Sequence, residues 1–351
     1  MLYSPAYMHI PDGYLSPATC MIFFGLVLPF WYLGVRKLRE RMNSRYVPVI
    51  ALMAAFSFII MMFNVPLPGG TTGHAVAGAL VAIVLGPEVA TIAISIALVI
   101  QAFFFGDGGI LAIGANCFNM AVLLPYVSYA TYHAISRNTS LTSRWRIAGA
   151  AIGGYVGLTV SAFFTAVEFG IQPIFWHAAD GTPLYAPYPL SVSIPAMVIP
   201  HMLIASIVEG AVAALAVIYL QRANSTMLGW ADQAALGTQV VNGGRLRWLW
   251  VGLTIMIVAT PLGLLAPGTA WGEWGADQLG RMGLKFIPQG LKALEGLWGA
   301  PMARYDLPAL GNPSLGYILS AVVGIILIGI VTWLFTRLFA SARSAQPAER
   351  K

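Results

Sequence analysis

The sequence predicts an all-α polytopic membrane protein of about nine transmembrane helices, and three observations carry that reading. Of 351 residues, 58% are hydrophobic and only 9% are charged, where a soluble domain carries about 25% charged residues. The mean hydropathy is +0.76. The apolar residues fall into long runs broken by short polar or basic connections, and a helix needs roughly 20 of them to cross a bilayer, fewer where neighbours shield it.

On that criterion helices are expected near 18–35, 47–65, 72–86, 88–105, 110–135, 147–168, 193–220, 247–265 and 315–336. The third is short and rich in glycine, so protein rather than lipid should surround it. Basic residues collect on the cytoplasmic side of membrane proteins. Arg36, Lys37, Arg39, Arg41 and Arg45 follow the first span; Arg137, Arg144 and Arg146 follow the fifth. Arg222, Arg245 and Arg247 lie between spans seven and eight, and Arg337, Arg343, Arg350 and Lys351 follow the ninth. These place 15 of the 19 basic residues on one side, leaving Arg281, Lys285, Lys292 and Arg304 opposite. The expected topology therefore has the N terminus outside and the C terminus cytoplasmic, with 66–73, 106–109, 169–192 and 266–314 facing out.

The polar stretch from Arg222 to Arg245 divides the chain into a seven-helix bundle (1–221), a cytoplasmic linker (222–245) and a two-helix module (246–351). That module flanks a long external segment rich in Gly, Pro and Trp and is too small to enclose a pathway by itself. No internal repeat of 20–50 residues is found. The net charge of +6 comes from basic loops, which argues for topology and against a nucleic-acid partner. Cys20 and Cys117 imply no disulfide framework. No cleaved signal peptide is expected, because the first sixteen residues lack a basic region and a long apolar core. A Walker A motif is absent, so any use of ATP must come from a partner.

Polar groups in a bilayer are costly and usually face protein or a water-filled cavity. Asn64 ends the second span, and the Pro- and Gly-rich stretch 66–73 then leads to His74. Thr71 or Thr72 could cap the helix that follows, which would put His74 in its first turn. A helix N terminus disfavours an imidazolium, so His74 reads either as a neutral metal ligand or as a hydrogen-bonded structural histidine. Asp107, between glycines, reads as a turn residue. Asn116 and Asn119 share a helix face, as inter-helix hydrogen-bonding groups or as supports for a ligand. Cys117 and Met120 would suit a soft metal, but both read first as apolar packing.

Glu168 ends span six. His201 and Glu209 share a face of span seven about two turns apart, too far for both to touch one ion without bending; this is not HExxH. His133 and His177 read as bystanders. Gly149, Gly153 and Gly157, four residues apart, form a ridge that admits another helix closely, from this chain or another subunit. Near the start, Met8-His9 offers a small chelate: were Met8 the first residue, its amine, the His9 amide and the His9 imidazole could bind one divalent ion.

Three stretches together, MHIPDGYLSP (8–17), PLPGGTTGHAVAGALVAIVLGP (66–87) and QAFFFGDGGILAIGANCFNMAV (101–122), resemble the CbiM/NikM family. These are the substrate-binding membrane subunits of cobalt and nickel energy-coupling-factor (ECF) transporters, and the likeness runs through roughly 8–220. PLGLLAPGTAWGEWGADQL (261–279) and GNPSLGYILSAVVGII (311–326) look like the fused small component, of CbiN/NikN or PDGLE type, although PDGL itself does not occur there. The resemblance implies an N-terminal segment folded into the bundle and a metal held by Met8 (amine), His9 (amide and imidazole) and His74. Asn64, Asn116 and Asn119 would support those ligands. Four nitrogens in a plane suit Ni²⁺ and accommodate Co²⁺, so the donors do not separate the two ions.

The resemblance further implies a CbiQ/NikQ-like membrane coupling subunit and CbiO/NikO-like ATPase subunits as partners, in a prokaryotic cell membrane. It implies no enzymatic activity in this chain and no cofactor apart from the transported ion, which would supply cobalamin biosynthesis or nickel enzymes. This sequence departs from the pattern in the seven residues before Met8. An internal Met8 has an acylated nitrogen, so we expect translation to start at Met8. The other routes are removal of the extension, or a site built from His9, His74 and another ligand. The competing function is an autonomous divalent-metal channel or secondary transporter. It would need ionisable groups along a path, and only Glu209 and His201 lie mid-membrane. An intramembrane enzyme has little support.

Overall fold

The chain folds into closely packed helices with one short hairpin, seen in a computed structural model that describes residues 8–41, 47–229, 231, 243–266 and 268–341. The seven-residue extension and half of the expected linker lie outside these residues. Helices α1 (Pro17–Arg41) and α2 (Val47–Met61) lead to strands β1 (Val65–Leu67) and β2 (Thr71–Gly73), then α3 (Gly78–Leu85) and α4 (Pro87–Ile100). α5 (Ile113–Asn116) continues through a wider π-helical stretch into α6 (Leu124–Ser136), followed by α7 (Arg144–Gly170) and the short α8 (Gln172–Phe175). α9 (Leu190–Pro200) runs through another π-helical stretch into α10 (Ser206–Ala223). The rest comprises α11 (Gly243–Ala259), the short α12 (Ala276–Arg281) and α13 (Gln289–Leu294), and α14 (Pro313–Ser341).

Among the described residues, five helical stretches are long and apolar enough to cross a membrane: Pro17–Glu40, Pro87–Phe105, Arg144–Phe175, Leu190–Ala223 and Pro313–Leu338. Val47–Met61 and Trp250–Leu265 are shorter apolar helices. Every residue of α3 is buried, so protein surrounds it, as expected for so short an element.

The glycine ridge packs within the chain. A Cβ on Gly153 would lie 2.6 Å from the Ser128 carbonyl oxygen, and one on Gly157 would strike Ser128 Oγ, so α7 rides directly on α6. On another side of α7, Gly154 meets Gly210 of α10: a Cβ on Gly154 would lie 3.0 Å from the Gly210 Cα. Small residues thus let α7 approach two neighbours at once.

The segments grouped by charge do meet in space. At one end of the bundle, Thr72 N–H donates to Thr269 O, Ala186 N–H to Tyr14 O, and Gly290 N–H to Leu184 O. At the other, Gln221 Nε2 donates to the carbonyls of Leu141 and Ser143, and Arg146 Nη1 to Tyr132 Oη and Leu228 O.

The third element differs from the expectation. Residues 71–73 pair with 65–67 as a hairpin, residues 74–77 are not helical, and helix begins only at Gly78. His74 is therefore not in a first turn, and neither Thr71 nor Thr72 caps α3. Glu209 does so from α10, accepting from the N–H groups of Val76 (2.8 Å), Ala77 (2.8 Å) and Ala79 (3.1 Å). Glu209 and His201 therefore serve different places. The C-terminal module docks on the bundle: Tyr317 Oη donates to Met62 O at 3.1 Å, and a Cβ on Gly324 would collide with the Phe58 ring.

Candidate metal site

The N-terminal segment is threaded into the end of the bundle that holds the hairpin. Met8, His9, Ile10, Tyr14 and Leu15 are all buried. Asn116 grips this segment like a paired strand, its Oδ1 accepting from Ile10 N–H at 3.0 Å and its Nδ2 donating to Ile10 O at 3.1 Å. Gly109 N–H also donates to Ile10 O, at 2.9 Å. Asp12 accepts from the N–H groups of Ile110 (2.9 Å) and Leu111 (2.8 Å). Burial raises the Asp12 pKa against the lowering pull of these bonds. Gly108, at φ +94, completes the fit: a Cβ there would lie 3.1 Å from His9 Cβ and 3.0 Å from Asn116 Nδ2.

His9 and His74 meet edge to face, with ring centroids 5.1 Å apart. His74 Nδ1 lies 3.0 Å from Ala75 O, and His9 Nδ1 lies 3.3 Å from Asp107 O and 3.5 Å from its Oδ1. A histidine whose Nδ1–H is held by an oxygen presents Nε2 as a lone-pair donor, the arrangement common to metal-ligating histidines. Nε2 of His9 has no hydrogen-bond partner, and Nε2 of His74 faces Met8 O at 3.4 Å. Burial first, then the adjacent His9 ring, push the His74 pKa down to about 4, so the ring is neutral at pH 7. A helix terminus plays no part.

These rings line a pocket of about 60 Å³ with Met8, Asn116, Asn119, Met120, His201 and Glu273. That volume suits an ion with a few waters, whereas organic ligands occupy pockets of about 300 Å³ upwards. The Asn119 side chain lies against the buried Glu168 carboxyl. Among the described residues, no three His, Cys, Asp or Glu side chains converge tightly enough to hold a metal. A complete donor set at the two imidazoles would need backbone nitrogen, an amine or water. The Met8 nitrogen donates to Asp107 Oδ1 at 2.9 Å.

Of the sequence-selected residues, the structure brings together Met8, His9, His74, Asn116 and Asn119. Asn64 is buried beside Gly263 and does not line the pocket. Cys117 is buried and does not line it either, whereas Met120 does. His177 is exposed, and His133 stacks on Tyr129.

Three residues escaped the sequence reading. Asp107 is not a simple turn residue: it is 3% exposed, and it joins Met8 N, His9 and, through Oδ2, the Tyr305 hydroxyl at 2.7 Å. Tyr305 comes from the C-terminal module, accepts from Gln101 Nε2 at 3.0 Å and stacks on Phe105. Glu273, from the same module, is 4% exposed with Oε2 unpartnered; burial and then the charge of Asp107 raise its pKa. The module is thus part of the wall of the site. Thr72 pairs with Ala270 in a strand bridge, and its hydroxyl lies 3.2 Å from Met8 Sδ.

Comparison with known proteins gives a consistent answer. Residues 9–227 match the family described as the cobalt uptake substrate-specific transmembrane region, CbiM, and residues 245–341 match the PDGLE domain. A fused nickel transport protein of Rhodobacter capsulatus is 48% identical over 92% of this chain and 95% of its own length. A probable fused nickel transport protein of Lactiplantibacillus plantarum is 40% identical over 91% and 95%. A crystal structure of a truncated transition metal transporter superposes with a TM-score of 0.57 at 48% identity, covering 61% of this chain and 99% of that one.

Proposed function

The chain belongs to the CbiM family, joined to a PDGLE domain, and from that premise we propose that it captures Ni²⁺ or Co²⁺ for ATP-driven import. The observation that carries the reading is the pair of buried histidines, His9 and His74, each tethered through Nδ1 and lining an ion-sized pocket, with the His9 Nε2 unpartnered and the His74 Nε2 against Met8 O. The nickel and cobalt transport relatives support the choice of ion. Imidazole nitrogen suits either metal, with nickel above cobalt in intrinsic affinity. In this chain Met8, His9 and His74 bind the ion, while Asn116 and Asp107 hold the N-terminal segment in place and Asn119 faces the ion from the pocket wall. A chelate through the His9 amide must use the Nδ1 of the same ring, so it requires the ring to turn away from Asp107.

The chain divides at 222–245 into a metal-binding bundle and a two-helix module. The apolar runs support nine spans, and the basic residues support an outside N terminus and a cytoplasmic C terminus; the metal pocket then opens outward. Energy comes from a membrane coupling subunit and cytoplasmic ATPases in the prokaryotic cell membrane. The absence of a Walker A motif supports that division of labour. The channel reading loses its main asset, because the Glu209 carboxylate is engaged by three backbone N–H groups.

The test is equilibrium dialysis of the full chain in nanodiscs against ⁶³Ni²⁺ and ⁵⁷Co²⁺. His9→Ala and His74→Ala should each weaken binding by about tenfold or more, a loss of at least ~1.4 kcal/mol. Undiminished affinity in both variants overturns the assignment. Uptake into vesicles without ATPase subunits would favour the channel.

A further inference from the structure

Beside the narrow metal pocket lies a wide cleft of about 830 Å³, lined by residues of the N-terminal segment, the 106–110 loop and the long segment of the C-terminal module. Among the described residues, Glu273 alone lines both spaces. It is also, among the described residues, the sole carboxylate on the wall of the narrow pocket. Its side chain is 4% exposed, and Oε2 has no hydrogen-bond partner.

Most neighbouring carboxylates are committed elsewhere, and two others lie off the junction: Asp277 lines the wide cleft alone, and the buried Glu168, beside Asn119, lines neither space. Asp12 accepts from two backbone N–H groups, Asp107 from Met8 and Tyr305, and Glu295 Oε2 from Ala276 N–H at 2.8 Å. An isolated buried carboxylate oxygen costs several kcal/mol unless something compensates it. A proton or a bound cation can supply that compensation, and the position of Glu273 at a junction between two cavities puts it where an arriving cation passes. No three His, Cys, Asp or Glu side chains converge among the described residues, so Glu273 is not a third side-chain ligand beside the two histidines. It occupies the approach to them.

We propose that Glu273 is the transfer carboxylate at the throat of the site, taking the incoming divalent ion from the wide cleft and delivering it to the His9–His74 donors. The proposal rests on the reading that this pocket captures Ni²⁺ or Co²⁺. The chemistry favours passage in that direction. An anionic oxygen replaces water on an arriving aqua ion, and imidazole nitrogen then holds nickel or cobalt more firmly than a single carboxylate does. The arrangement gives the fused module a direct part in metal entry. Its segment is held by the Thr72–Ala270 bridge and by the Tyr188–Trp271–Trp274 ring cluster on either side of Glu273.

The experiment measures loading and chase of ⁶³Ni²⁺ by rapid filtration on the full chain in nanodiscs, for wild type, Glu273→Gln and Glu273→Asp. Glu273→Gln keeps the shape and removes the charge. Loading and release should slow together by about tenfold or more, the rate equivalent of one lost barrier-lowering contact, while Kd stays within about threefold. Glu273→Asp should recover part of both rates, which a purely structural role would not produce. If Glu273→Gln fails to fold, as read by size-exclusion profile and thermal melt, Glu273→Asp and Glu273→Ala carry the test, with rates falling from wild type to Asp to Ala. Unchanged rates overturn the proposal. So does a rise in Kd with an unchanged loading rate, which would make Glu273 a resident ligand. Failure of the parent reading looks different: wild type binds no Ni²⁺, or His74→Ala binds it undiminished.

Discussion

Glu209 offers the sharpest energetic prediction, because its carboxylate caps the unwound segment that carries His74. The side chain is fully buried on α10 and accepts from the N–H groups of Val76, Ala77 and Ala79. Oε2 takes the first two bonds and Oε1 the third. In Glu209→Gln the remaining oxygen can keep the shared pair, and the new NH₂ then faces the Ala79 N–H. One buried donor left without an acceptor costs about 1–3 kcal/mol. Glu209→Ala abandons all three, and local relaxation should hold the loss to about 3–5 kcal/mol.

The assay is thermal unfolding of the metal-free chain in detergent, combined with amide hydrogen exchange over residues 74–79. Stability should fall in the order wild type, Gln, Ala, and the amides of Val76, Ala77 and Ala79 should lose protection first. Nickel affinity should fall with them, since His74 lies two residues from the first capped amide. Stability within about 0.5 kcal/mol of wild type in both variants, the range of ordinary surface substitutions, would refute the reasoning.

Other consequences are open to the same methods. Tyr305→Phe removes the 2.7 Å hydrogen bond to Asp107; hydrogen bonds to charged groups contribute about 1.5–3 kcal/mol, so both melting temperature and nickel affinity should drop while the fold is retained. Gly157→Leu should prevent α7 from seating on α6, because even a Cβ strikes Ser128 Oγ; the loss should exceed about 3 kcal/mol, read as loss of a monodisperse species. His74 should impose a pH dependence on the metal-free protein. Its pKa is about 4 folded and 6.5 ordinarily, so the unfolded chain binds more protons and stability falls as pH drops below 6.5 towards 4. Between pH 7 and 5 that is about 2 kcal/mol, and His74→Gln should flatten this part of the profile in a pH series of melts.

The helices were readable because apolar runs in a chain with so few charges have few alternatives. His9, His74 and Asn116 were readable because polar groups are costly in such surroundings. The hairpin at 65–73 and the unwound residues 74–77 were not, since the group that stabilises them, Glu209, lies on a distant helix. Asp107 looked like a turn residue because its glycine neighbours do mark a turn; only the arrival of Met8, His9 and Tyr305 gives its carboxylate a second role. Tyr305 and Glu273 sit in a segment whose composition suggested an external loop, and no local periodicity records which cavity a loop will line. The glycine ridge shows the same limit: its spacing announces close approach, whereas the identity of α6 as the partner is a property of the fold.

The central claim is that this chain holds one transition-metal ion between the N-terminal segment and His74. Native mass spectrometry of the purified full chain, released from detergent after equilibration with Ni²⁺ or Co²⁺, tests it most directly and also reads the first residue of the polypeptide. The account predicts a mass increment of one metal ion per chain in wild type and its loss in the His9→Ala/His74→Ala double variant. A wild-type chain that stays metal-free at saturating Ni²⁺ and Co²⁺, or a double variant that still carries one ion, would contradict it.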